Sequence, residues 1–95
     1  MDALLHLLNS DGGDELQLHV GWPPVLVLQG QRHEIEGPRL TPETMEGLLH
    51  RVTTTRQRRE LRDRGRVQFV YRFRRVTDFV VRARVENDSI GIDVH

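Results

Sequence analysis

The chain has 95 residues, 14 arginines balanced by 14 acids, and neither lysine nor cysteine. That length makes one domain burying roughly 60 to 70% of its unfolded surface, and the missing cysteine excludes disulfides, thiolate metal sites and cysteine nucleophiles. No window reaches the ~18 uninterrupted apolar residues of a membrane span, and residues 1–13 lack the basic flank and apolar run of a signal peptide, so no membrane insertion and a cytoplasmic location are expected.

In residues 2–8 the leucines Leu4, Leu5, Leu7 and Leu8 predict a short helix leaning one face on a sheet, ended by the polar, glycine-rich residues 9–13. Residues 14–20 alternate Leu16, Leu18 and Val20 with Gln17 and His19, the pattern of a half-buried strand. After Gly21-Trp22-Pro23-Pro24 comes an apolar strand, Val25 to Leu28, then a Gln29-Gly30-Gln31 turn and a return strand. Thr41 followed by Pro42 marks a helix start, cap then first helical position, and Met45, Leu48, Leu49 and Val52 form its apolar stripe. A second helix, Thr55 to Arg64, has only Leu61 as apolar anchor and Gly65 as C-terminal cap.

From Arg66 the period becomes two. Val67, Phe69, Tyr71 and Phe73, then Phe79, Val81, Ala83 and Val85, then Ile90, Ile92 and Val94 each predict a strand with one buried face, together an antiparallel meander. Ser89 to Val94 is expected to be an edge open to self-association. The order helix, three strands, two helices, three strands predicts an α+β fold, a mostly antiparallel sheet of about six strands with helices on one face.

Charge is segregated. Residues 1–50 carry two arginines and eight acids (−6), residues 51–84 twelve arginines and three acids (+9), and the last eleven residues three acids (−3). Such a chain neutralises itself on folding or offers opposite faces to neighbours, including head-to-tail copies of itself. Arg51, Arg56, Arg58, Arg59, Arg62, Arg64 and Arg66 are the conspicuous cluster. It lacks interleaved aromatics, so an acidic protein partner ranks ahead of nucleic acid, with a merely solvated helix as the bland reading. Trp22 beside a rigid Pro-Pro is an interface candidate or a packing lid over a sheet end. The five histidines have no metal-ligand spacing, and paired acids such as Glu34 and Glu36 have no nucleophile beside them. No catalytic, cofactor or metal residues are assigned.

The run Glu15-Leu16-Gln17-Leu18, then Gly21, Pro23-Pro24 and Gly30, resembles the amino-terminal domain of the PilT-type ATPases of type IV pili and type II secretion. Gln17 stands where that family has histidine. Leu4-Leu5, Leu40-Thr41-Pro42-Glu43, Gln57-Arg58-Arg59-Glu60-Leu61 and Phe69 with Tyr71 extend the resemblance over nearly the whole chain. It implies a PAS-like fold, a single domain over 1–95, and docking to a motor ATPase, to itself or to another protein. It implies no activity of its own, because nothing matches the G-x-x-x-x-G-K-[ST] phosphate loop and there is no lysine to complete one. Where the family reads Gly-x-Arg-Phe-Arg-Val this chain reads Asp78-Phe79-Val80-Val81, with Arg82 and Arg84 out of register. Two alternatives stand beside a non-catalytic interaction module: an amino-terminal piece of a full ATPase, and a PAS-like ligand sensor or arginine-rich nucleic-acid binder.

Overall fold

The computed structural model describes residues 2–10, 12–75 and 77–95, leaving aside the Asp2 side chain. Its elements are α1 (Asp2–Ser10), β1 (Glu15–His19), β2 (Val25–Leu28), β3 (Gln31–Glu34), α2 (Pro42–Val52), α3 (Thr55–Arg64), β4 (Arg66–Phe73), β5 (Thr77–Glu86) and β6 (Ser89–Val94). The strands form one sheet in the order β3-β2-β1-β6-β5-β4, every neighbouring pair antiparallel. The expected α+β architecture and element order are those observed.

Two hairpins set the register locally. Leu28 pairs with Gln31 across Gln29 and Gly30, and Glu86 pairs with Ser89 across Asn87 and Asp88. All four loop residues have positive φ, the conformation that two-residue hairpin turns demand for their twist to match the strands. Gly, Asn and Asp tolerate it best, so Gly30, Asn87 and Asp88 suit the geometry of these tips, whereas Gln29, at φ 50°, does so less well.

The period-two pattern sorts the side chains onto two faces. Leu16, Leu18, Leu26, Val67, Phe79, Val81, Ala83, Ile92 and Val94 are all buried, and the register makes them cross-strand neighbours on one face. Against that face lie α1 on β1, α2 on β6, and α3 on β4 and β5. Leu5 and Leu8 of α1, Met45, Leu49 and Val52 of α2, and Leu61 of α3 complete the core. The other face carries Gln17, His19, Asp93, Arg82, Arg84 and Gln68.

The helix ends are satisfied as orphan backbone groups require. Thr41 Oγ1 accepts from Thr44 N–H at 3.1 Å with Pro42 next to it. Thr54 and Gln57 form a reciprocal capping box at α3, and Gly65, at φ 76°, donates its N–H to Leu61 O.

Three expectations are corrected. β6 is not an edge: β1 and β5 flank it, because the segment at residues 15–19 returns to pair with it. The free edges are β3 and β4. Val85, expected on the buried face, is 49% exposed, since it borders an open groove between α2 and α3 that neither helix fills. And α1 runs on through Asn9 and Ser10 rather than ending at residue 8.

Candidate interaction surfaces

The arginine cluster spans the end of α2, all of α3 and the start of β4. α3 has one buried residue, Leu61, so its remaining faces are free to be charged. Arg51, Arg56, Arg59, Arg62, Arg64 and Arg66 are exposed, as the sequence implies. Among the described residues only Arg64 of this group lies near a carboxylate, Glu60 at 3.9 Å, a solvated pair worth little.

Arg58 differs from its neighbours. Its guanidinium donates to Thr53 O at 2.8 Å and to Thr53 Oγ1 at 3.0 Å, and Thr53 Oγ1 in turn donates to Leu49 O at 2.6 Å. Arg58 therefore closes the carboxyl end of α2 with a cation, where the helix dipole favours one, and joins α2 to α3. Sequence reasoning grouped it with the free arginines; its structural role depends on the α2–α3 corner, which no local pattern reveals.

Trp22 belongs to a different surface. It is 46% exposed, its ring lies 5.1 Å from that of His19, and the Arg32 guanidinium sits 5.3 Å from its centroid. Backbone bonds from Leu40 N–H to Trp22 O and from Gly21 N–H to Leu40 O, both 2.8 Å, clamp the loop in place. Trp22 is thus held by backbone and by a cation over its face, while much of the ring stays accessible. It lines an open groove of about 680 Å³ with Gly21, Arg32 and Arg39. Arg64 and Arg66 line a second groove with Arg82 and Arg84, and Arg58 and Arg62 a third. Trp22 and the arginine cluster therefore do not form a single site.

The uncovered face of the sheet holds an ion network that sequence reasoning did not assemble. Arg84 donates through Nε to Glu86 and through a terminal nitrogen to Asp93, both at 2.6 Å. His19 Nδ1 lies 3.1 Å from the same Glu86 carboxylate, and His19 Nε2 lies 3.8 Å from Asp93. Partial burial works to raise the Glu86 pKa, but the hydrogen bonds from His19 and Arg84 and their charges outweigh it and hold the carboxyl below its ordinary range. The bond to Asp93, ahead of the cost of burial, pushes Arg84 upward. Gly91 makes room: a Cβ there would lie 2.7 Å from Glu86 Oε2. Arg82 is likewise engaged, donating to Gln68 at 3.0 Å, and Asp78 pairs with Arg72 at 3.3 Å. Arg82 and Arg84 are thus both engaged within their own sheet. Among the described residues no three His, Asp or Glu side chains are grouped to hold a metal ion, and no helix is long and apolar enough to cross a membrane.

No protein-family model matches the chain, and no curated protein matches it by sequence. Solved structures do. The pilus retraction motor PilT, crystallised with bound ADP, superposes over 100% of this chain with a TM-score of 0.90 at 24% identity. The ATPase DotB of Legionella pneumophila superposes over 100% of it with a TM-score of 0.82 at 19% identity. The chain spans 28% of the length of the first and 27% of the second. The fold anticipated from the Gly21-x-Pro23-Pro24 region and the later elements is therefore the fold found, that of an amino-terminal domain such as the pilus retraction motor PilT and the ATPase DotB contain.

Proposed function

We propose that this domain is a non-catalytic docking module in the cytoplasm, related to the amino-terminal domain of pilus and secretion motor ATPases, that binds an acidic surface of a protein partner. The observation that carries the reading is the set of exposed arginines on α3 and its flanks, of which only Arg64 has a carboxylate within 4.0 Å among the described residues. Cations left unneutralised on one helix cost solvation little and steer an oppositely charged partner. The likeness to two motor ATPases makes such a motor the first partner to examine.

Affinity capture from the source organism's lysate, comparing wild type with a variant carrying Arg56, Arg59 and Arg62 changed to Glu, tests this. Arg58 is left in place because it holds the α2–α3 corner. The expected result is recovery of a motor ATPase by wild type and its loss with the variant. Nucleotide hydrolysis by the pure domain, or recovery of nucleic acid in place of protein, contradicts the reading.

The share of PilT and DotB that the chain spans, 28% and 27%, supports a second reading: these residues work as one part of a longer motor, and the activity lies elsewhere in it. Sequencing past His95 for a phosphate-binding loop separates the two.

A further inference from the structure

The groove between the two carboxyl-side helices and the last hairpin has a composition the arginine surface lacks. Its floor is Leu49 of α2 and Leu61 of α3, 5% and 3% exposed, beside Val85 and Ile90, which pair across β5 and β6. Its rim is Arg58 and Arg62. His50 and Glu46 complete the lining, so the rim has a net positive charge even with the histidine neutral.

This is the part of the covered sheet face that the helices fail to cover. α2 packs on β6 and α3 on β4 and β5, and the Val85–Ile90 pair borders the groove left between Leu49 of α2 and Leu61 of α3. An exposed valine on the face reserved for the core is an apolar surface that gains from being covered. The groove, about 420 Å³, is too open to enclose a small ligand, which needs most of its surface buried; Val85 alone is 49% exposed. It suits one or two side chains standing on a partner's backbone. The two rim cations differ in use. Arg58 is fixed by its bonds to Thr53, so it presents its charge with little entropy left to lose. Arg62 has no carboxylate within 4.0 Å among the described residues and is available for pairing.

We propose that this groove is the anchor point of the docking surface, taking an aliphatic side chain of an acidic partner segment between Leu49, Leu61, Val85 and Ile90 while the segment's carboxylates meet Arg58 and Arg62. The proposal rests on the docking reading above and adds to it a pocket, an anchor chemistry and a place. The arginines supply attraction and register; the apolar floor supplies the surface whose burial holds the complex.

The test is an amide-resolved NMR titration of the whole chain with three capped peptides of equal length. One repeats Leu-Glu-Asp-Leu, one replaces its leucines by serine, and one replaces its acids by lysine. The expected result is binding of the first alone, with shifts centred on Leu49, Leu61, Val85 and Ile90. Val85→Glu and Arg62→Glu each weaken it by on the order of tenfold while the spectrum keeps its dispersion. Val85 is already solvent-facing, so the substitution leaves the core untouched. Equal binding of the serine peptide overturns the anchor while leaving the arginine reading intact. Failure of all three peptides overturns it too, and so does a shift of the same residues with protein concentration alone, which makes a second copy the occupant. Capture of the partner by the Arg56, Arg59 and Arg62 variant as well as by wild type is the failure of the docking reading and is read without peptides, so the two failures are distinguishable.

Discussion

Glu86, Arg84, Asp93 and His19 form the most tightly coupled polar group described in the molecule, and its chemistry is testable residue by residue. A carboxylate whose folded pKa lies below its unfolded one stabilises the fold above the unfolded value and loses that contribution as pH falls through the folded value. For Glu86 this window lies below its ordinary 4.5. The Glu86 side chain is 36% exposed, so the contribution is modest and screened by salt. Replacing Arg84 by Gln removes a hydrogen bond and a cation, and the Glu86 carboxyl should then titrate at higher pH by side-chain NMR; an unchanged midpoint contradicts the assignment. Gly91→Ala should raise the same midpoint by pushing the carboxylate off its partners. The sequence already placed Gln17 and His19 away from the apolar face, because alternation is local. It could not supply Glu86, which lies 67 positions downstream of His19 and reaches it only through the pairing of β1 with β6 and of β6 with β5.

At the scale of elements, boundaries follow from capping chemistry. Thr54→Ala should destabilise the domain by about 1 kcal/mol in urea denaturation, the usual worth of an N-cap. The adjacent arginines should behave unequally. Arg58→Ala leaves carbonyls at the end of α2 without their donor and should cost on the order of 1 kcal/mol, whereas Arg59→Ala should fall within about 0.5 kcal/mol of wild type. Equal costs for the two would contradict the corner described here. Gly13→Ala offers a packing test: its Cβ would meet Leu26 and Leu8 methyls at 2.8 and 2.9 Å, and overfilling a packed core costs roughly 1–3 kcal/mol. The strands and α2 were legible because their patterns are local: Thr41-Pro42 reads as a helix start, and Phe73, Phe79 and Val81 read as one buried face. The Thr54–Gln57 box is equally local, since Thr-x-x-Gln is a capping signature. Val85 was not legible, because alternation assigns a face and says nothing of where a helix stops covering it.

For the whole molecule, the sheet order governs what surfaces exist. A meander read from sequence leaves its last strand at an edge, and only long-range pairing with β1 encloses β6. Exposure to other chains therefore passes to β3, which is short and polar, and to β4, whose Val70 is 63% exposed between Gln68 and Arg72. The segregated charge of the sequence is only partly neutralised by folding. Arg84 meets Glu86 and Asp93, and Arg72 meets Asp78, but most arginines of α3 find no acid among the described residues. This residue of unpaired charge is the basis of the docking account. Binding of the purified domain to a purified motor ATPase, measured over a range of salt concentrations with wild type and with Arg56, Arg59 and Arg62 changed to Glu, tests it most directly. The account predicts an affinity that weakens steadily with salt and is lost in the variant; salt-independent binding, or equal binding by the variant, would contradict it.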